Sequence, residues 1–286
     1  MPNSVTFTKM LHFDPNQLKT PELHGYLLGA IGPRPICFAS TIDAHGQVNL
    51  APYSFFNVFS ARPPILIFSP ARRVRNNTTK HTLENVQKVA EVVINVVNYD
   101  MVHQMSLAST EYPKGINEFE KAGLTMLDSE LVAPPRVKQA PVQLECKVVN
   151  VMPLGSEGGA GNLVMAEVVK LHLDPEILGP NGQIDPEKID LVARMGGNWY
   201  SRSKLGLFEV PKPNSDLGIG IDALPLGIKQ SPILSGNDLA QLANVSDLPA
   251  GAESLDTVNP QTHIMAKDLI ENGQIDQAWQ TLIKEN

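Results

Sequence analysis

The sequence predicts a mainly β protein built on an antiparallel barrel, with short helices at the barrel's periphery and a helical extension at the C-terminus. Three observations lead there. Apolar runs of strand length fill residues 34–175, short turns or lone helices join them, and the regular strand–helix alternation of a doubly wound parallel sheet is missing. Beyond about residue 205 the strands give way to a linker-like "EVPKPNSDLGIG" and a terminal helical pair. The chain therefore reads as a barrel over residues 1–205 and an extension over 206–286.

After a polar lead-in, "RPICFASTI" (34–42) has the unbroken apolar character of a buried strand. "DAHG" (43–46) supplies turn chemistry, and the chain returns through "QVNLAPYSFFNVF". A third run, "ILIFSPA", starts at Pro63-Pro64, where a missing N–H does least harm. "NTTKHTLENVQK" then turns helical, with Thr79 or Thr82 placed to cap the helix. "EVVINVV" (91–97) is a strand, and "MVHQMSLAS" and "INEFEKAG" are short surface helices. Two long strands, "VQLECKVVNVM" (142–152) and "NLVMAEVVKLHL" (162–173), flank a Gly-rich hairpin loop. "DPEKIDLVAR" (185–194) reads as a short helix with Pro186 in its first turn. The final "HIMAKDLIENGQIDQAWQTLIKE" is a helical hairpin; a single copy cannot stack into a solenoid, so it reads as a packing or dimer-contact appendage.

With 42% hydrophobic and 19% charged residues, the 286-residue chain has the make-up of a globular protein. Its 23 basic and 30 acidic residues give a net charge of −7, which disfavours nucleic acid as a partner. A local basic patch, Arg72, Arg73, Arg75 and Lys80, is too short to track a nucleic-acid backbone but suits one phosphate. Two cysteines, Cys37 and Cys146, both in apolar runs, and no apolar stretch of membrane-spanning length place the chain in the cytoplasm, away from membranes. No C-x-x-C, H-E-x-x-H, G-x-S-x-G or phosphate-loop motif occurs, and the histidines lack metal-ligand spacing. Gly218-x-Gly220-x-x-Ala223 matches a loose dinucleotide fingerprint but has no strand before it and no helix after it. With no nucleophile or acid–base pair in evidence, any reaction would be carried by a cofactor.

Five segments, in order, resemble one family: "GPRPICFASTIDAHGQVNLAPYSFFNVFSARPP" (32–64), "TKHTLENV" (79–86), "YPKGINEFEKAGLT" (112–125), "APVQLECKV" (140–148) and "LVARMGGNWY" (191–200). They are similar to the flavin reductase-like, FMN-binding split-barrel proteins, in the branch that includes flavoredoxin-like members. The resemblance runs from about residue 20 to 205. It implies a six-stranded antiparallel Greek-key split barrel, a homodimer, and FMN at the barrel side near the subunit interface. It also implies NADH or NADPH as the reductant of flavin by hydride transfer to N5. The flavin then leaves for a flavin-dependent monooxygenase or stays bound for an electron-transfer partner, as in a flavoredoxin-like carrier. A flavin-binding module without redox turnover is the alternative from another class.

The residues fit such a ligand. Isoalloxazine is flat and amphipathic, so it needs apolar walls and small polar groups along its pyrimidine edge. "APYSFFN" offers rings at Tyr53, Phe55 and Phe56, polar groups at Ser54 and Asn57, and close main-chain approach at Ala51. The competing reading packs these rings into the core; being adjacent, Phe55 and Phe56 would face opposite sides of a strand. For the phosphate, Thr79, Lys80, Thr82 and the start of the following helix are candidates, although helix capping explains the threonines equally well. His81 stands where relatives are expected to carry an acidic residue. Ser40 and Thr41 resemble a flavin-contacting pair but also suit a strand edge, and Asn49 could read the flavin or stabilise a turn. Arg194 could reach the ligand or complement the C-terminus of the short helix it closes. Arg34, between two prolines, is rigidly placed for a cofactor or dimer contact.

Overall fold

A computed structural model describes residues 10–210, 218–257 and 259–284. The chain divides into two compact units, one up to Leu207 and one from Phe208. The lead-in carries a helix, α1 (Thr20–Ala30), with Pro21 in its first turn and no buried residue. Having no inward apolar stripe, α1 gave the sequence pattern nothing to show.

The run read as one strand over 34–42 breaks at Ile36 into β1 (Arg34–Pro35) and β2 (Cys37–Ile42). The predicted turn forms: Asp43 Oδ1 accepts from the N–H of His45 at 2.8 Å and of Gln47 at 3.0 Å, and Gly46 takes the left-handed φ of +80°. It folds β2 against β3 (Val48–Tyr53). The aromatic stretch then breaks at Ser54-Phe55, so that β4 (Phe56–Ala61) is a separate strand, followed by β5 (Pro64–Phe68). Helix α2 (His81–Lys88), β6 (Glu91–Val96), α3 (Val102–Ala108) and α4 (Glu118–Ala122) follow. A small pair, β7 (Met126–Leu127) and β8 (Arg136–Val137), precedes the long hairpin of β9 (Val142–Pro153) and β10 (Asn162–Leu173).

The main sheet is antiparallel with seven strands in the order β3-β2-β6-β9-β10-β5-β4. This corrects the strand count of the expected six-stranded split barrel: the run over 47–59 makes two strands, not one. Those two strands, β3 and β4, sit at opposite ends of the sheet order, yet only Ser54 and Phe55 join them. The sheet must therefore curl back on itself, leaving an unpaired seam where those two residues lie. Successive residues of β2 face opposite cores. Cys37 and Ala39 join Leu83 and Val86 of α2 with Phe68, Ile94 and Cys146, whereas Phe38 packs with Leu50, Met101 and Phe119. Both cysteines are buried and free.

The predicted helix over 185–194 is shorter. After α5 (Pro186–Ile189) the chain turns at Asp190, φ +48°, into β11 (Val192–Arg194), which pairs with β12 (Tyr200–Arg202) and with β1. Arg194 thus lies on a strand and complements no helix end. The capping threonines are also corrected. Lys80 occupies the N-cap of α2 without a side-chain cap, and the Thr79 hydroxyl donates to Glu84 Oε1 at 2.7 Å.

The C-terminal unit comprises α6 (Leu226–Lys229), α7 (Gly236–Leu242) and the helical pair α8 (Pro260–Glu271) and α9 (Ile275–Lys284). Its core includes Leu224, Ile228, Leu242, Ile270, Trp279 and Leu282, and Ser235 and Asp238 cap α7 reciprocally. Among the described residues no helix is long and apolar enough to cross a membrane.

Candidate functional site

A cleft of about 570 Å³ opens at the seam, within the size range of small-ligand sites. Pro52, Tyr53, Ser54 and Phe55 line it beside Lys80 and Arg73, and Arg34 and Arg194 also border it. A smaller pocket of about 100 Å³ shares Tyr53, Arg73 and Lys80 with the cleft and adds Thr82, Ser109, Thr110 and Glu118. Turn, strand end and helix start converge here because the seam leaves no ladder to fill the space.

Most of the basic run is occupied by neighbouring protein groups. Arg72 donates to Oδ1 and to the carbonyl of Asn77, both at 2.6 Å, and Asn77 adopts a left-handed φ of +53°. Arg73 reaches Glu111 Oε1 at 3.3 Å and Thr78 Oγ1 at 3.1 Å, and also donates to the Thr79 carbonyl. Arg75 meets the other Glu111 oxygen at 3.2 Å. The segment lies so close to the β9–β10 loop that a Cβ on Gly158 would sit 3.0 Å from the Val74 carbonyl oxygen.

Lys80 differs. Its Nζ lies 5.2 Å from the centroid of the Tyr53 ring, and among the described residues it makes no hydrogen bond or ion pair. Burial holds its pKa below the ordinary lysine value, Arg73 adds to the effect, and Glu111 opposes it. Behind it, the first α2 amides that turn back are those of Leu83 and Glu84, both bonding the Lys80 carbonyl. The helix thus starts uncapped at the small pocket. Burial likewise raises the Tyr53 phenol, with the Thr82 hydroxyl opposing it. It also raises the Glu118 carboxyl, whose Oε2 accepts from Leu50 N at 3.0 Å.

The residues singled out from the sequence fall into three groups. Ser54, Phe55, Lys80 and Arg194 line the cleft, and Asn49, Ala51 and Thr82 line the smaller pocket. Asn49 and Thr82 also belong to a closed network: Asn49 Nδ2 donates to Thr82 Oγ1 at 2.9 Å and to Thr41 Oγ1 at 3.5 Å, and Asn85 Nδ2 donates to Thr41 Oγ1 at 3.1 Å. The remaining four lie away from both pockets. Ser40 is fully buried with its hydroxyl unpartnered, and Phe56 packs against the inner core. Asn57 is exposed on the edge strand with its Oδ1 accepting from Val58 N, and Thr79 is turned to Glu84. Sequence reasoning missed His24, Glu111 and Glu118, since nothing local marks a residue of α1, α3's exit or α4 as facing a seam formed by other strands.

A cation that makes no ion pair among the described residues, an uncapped helix start and an aromatic wall stand side by side, chemistry that suits a phosphate carrying a flat ring system. The sequence model of the flavin reductase like domain matches residues 30–186. The chain belongs to this flavin reductase-like family. Membership makes it a flavin-dependent type of oxidoreductase fold. An uncharacterised protein of Halalkalibacterium halodurans is 37% identical over 194 residues, covering 67% of this chain and 92% of that protein. Among solved structures, nitrilotriacetate monooxygenase component B from Bacillus cereus superposes with a TM-score of 0.67 at 29% identity, covering 71% of this chain and all of that one. A Shewanella frigidimarina chain described as a flavin reductase with a split barrel domain gives a TM-score of 0.60 at 28% identity, with the same coverage. The curled seven-stranded sheet is that split barrel.

Proposed function

We propose that this protein binds FMN in the seam cleft and uses NADH or NADPH to reduce it. The observation that carries the reading is Lys80, a partly desolvated cation beside an aromatic wall that makes no ion pair among the described residues. Bound FMN would supply a ring that accepts a hydride at N5. Lys80 and the uncapped start of α2 would hold the phosphate. Pro52, Tyr53 and Phe55 would flank the rings, and Ser54 would meet their polar edge. No acid or base of the chain is needed for hydride transfer, so the protein's share is proximity and exclusion of water.

The likeness to a chain named as a monooxygenase component supports release of reduced flavin to a partner oxygenase. We place the working form as a homodimer, in which the open seam would be covered by a second copy. Mixing the purified protein with FMN under anaerobic conditions and adding NADH or NADPH tests the reading. The flavin's visible absorption should bleach with at least one donor. Failure to bind FMN, or binding without bleaching by either donor, refutes it; the second result leaves a flavin-binding module. Oxygen consumption by flavin that has crossed a dialysis membrane distinguishes release from a retained-flavin carrier.

A further inference from the structure

The cleft has two cationic sides, and the protein neutralises one of them. Glu111 bridges Arg73 and Arg75 on the first. On the second, Arg34 and Arg194 stand directly opposite each other in the β1–β11 pairing, and neither meets a carboxylate among the described residues. Arg34 cannot swing away. Its Nη1 donates to the carbonyls of Leu28, at 2.6 Å, and Ile31, and its Nη2 donates to that of Met195 at 2.8 Å. Its Nε is buried without a partner. Arg194 lies over the Tyr200 ring, 4.6 Å from its centroid. The turn after β11 packs closely on α1: a Cβ on Gly196 would stand 3.2 Å from Gly29 Cα. Burial, and then the nearby charge of Arg194, lower the pKa of Arg34.

Lys80, the aromatic wall and the arginine pair all line the same cleft. Lys80 lies over Tyr53, and Phe55, two residues on, meets the edge of the His24 ring of α1 at 6.4 Å. Arg34 ties the last turn of that same helix to Met195, just past the end of β11. A molecule with its phosphate at Lys80 and its rings along Tyr53 and Phe55 would share the cleft with Arg194, within which the N1 and C2 carbonyl edge of the rings can face that arginine.

We propose that Arg194, positioned by Arg34 and Tyr200, stabilises the negative charge that a flavin acquires on reduction, and so sets the potential of the bound cofactor. The inference rests on the flavin reading above. A hydride from the nicotinamide donor brings two electrons and one proton to N5, and the flavin then carries one negative charge shared between N1 and the C2 carbonyl. Arg194 offers N–H donors and a full positive charge to that edge. The donor is charged in both oxidation states, but only the reduced flavin is an anionic acceptor, so the added ion-pair attraction favours reduction.

The test compares affinities for oxidised and dithionite-reduced FMN and riboflavin in wild type, Arg194→Met and Arg194→Lys, with thermal melts to establish folding. Arg194→Met should lose about tenfold more affinity for the reduced than for the oxidised form of either ligand, equivalent to a fall of about 30 mV in the two-electron potential. Arg194→Lys should recover part of the difference. If Arg194→Met does not fold, the lysine variant decides, with a smaller loss in the same direction. Equal losses in both oxidation states, or a loss confined to FMN, would place Arg194 at packing or at the phosphate and overturn the proposal. So would an unchanged ratio with a raised KM for the donor, which would assign the arginine to the donor's own phosphates. If wild type binds neither flavin, the site reading itself fails, a result distinct from all of these.

Discussion

Under the first turns of α2 lies a knot of hydroxyls and amides, and beside it lies a cleft lined with the same kinds of residue. In the knot, Thr41, Asn49, Thr82 and Asn85 satisfy one another inside the protein. In the cleft, Lys80 and Arg194 find no such partner among the described residues. Both regions are polar and both come from segments that the family resemblance picks out. The difference lies in where the hydrogen bonds go. A buried polar group bonded to protein fixes shape, whereas a charged group left without a counter-ion is where a ligand gains free energy.

The sharpest way to break this comparison is Lys80→Ala. If Lys80 meets a phosphate, FMN affinity should fall by about 1.5–3 kcal/mol while riboflavin affinity stays nearly constant, as measured by fluorescence titration. Equal losses for the two ligands would move the phosphate elsewhere. Thr41→Val probes the other region. Removing the acceptor of Asn85 should cost about 1–3 kcal/mol of stability in a denaturant melt, with FMN affinity of the folded protein unchanged. A variant that loses affinity and keeps its stability would turn the knot into part of the binding site.

The smallest effect concerns the unliganded protein. Burial lowers the pKa of Lys80 in the folded state, whereas in the unfolded chain it titrates near ~10.4. Below the lowered value both states are protonated and folding carries the full cost of the desolvated cation. As pH rises towards ~10.4 the folded state sheds its proton first, and the cost disappears. Lys80→Met should therefore stabilise the FMN-free protein at neutral pH, with an advantage that fades in alkali. A variant that is less stable at neutral pH would show that Lys80 serves the fold.

Much of this architecture is legible in residue order. The Asp43–Gly46 turn, the strands at 91–96 and 142–173 and the terminal helical pair follow from local chemistry and periodicity. Of the proposed ligand contacts, Ser54, Phe55 and Lys80 lie on the cleft because the stretches that hold them are compositionally unusual. Phe56 and Asn57 shared that signal and yet went to the core and the edge strand, because the chain breaks just before them and a new strand sets its own alternation. Helix α1 escaped notice because it buries nothing.

The sequence by itself determined the strand-forming runs, the turns between them and the family to which they conform. Each of these is written in the chemistry of neighbouring residues. Only the tertiary structure decided that β3 and β4 border an open seam, that Thr41 is consumed by Asn85, and that Arg34 and Arg194 share one wall without a counter-charge among the described residues. Those facts depend on pairings between segments far apart in the chain, and no local pattern encodes which distant partner a backbone edge or a charge will meet.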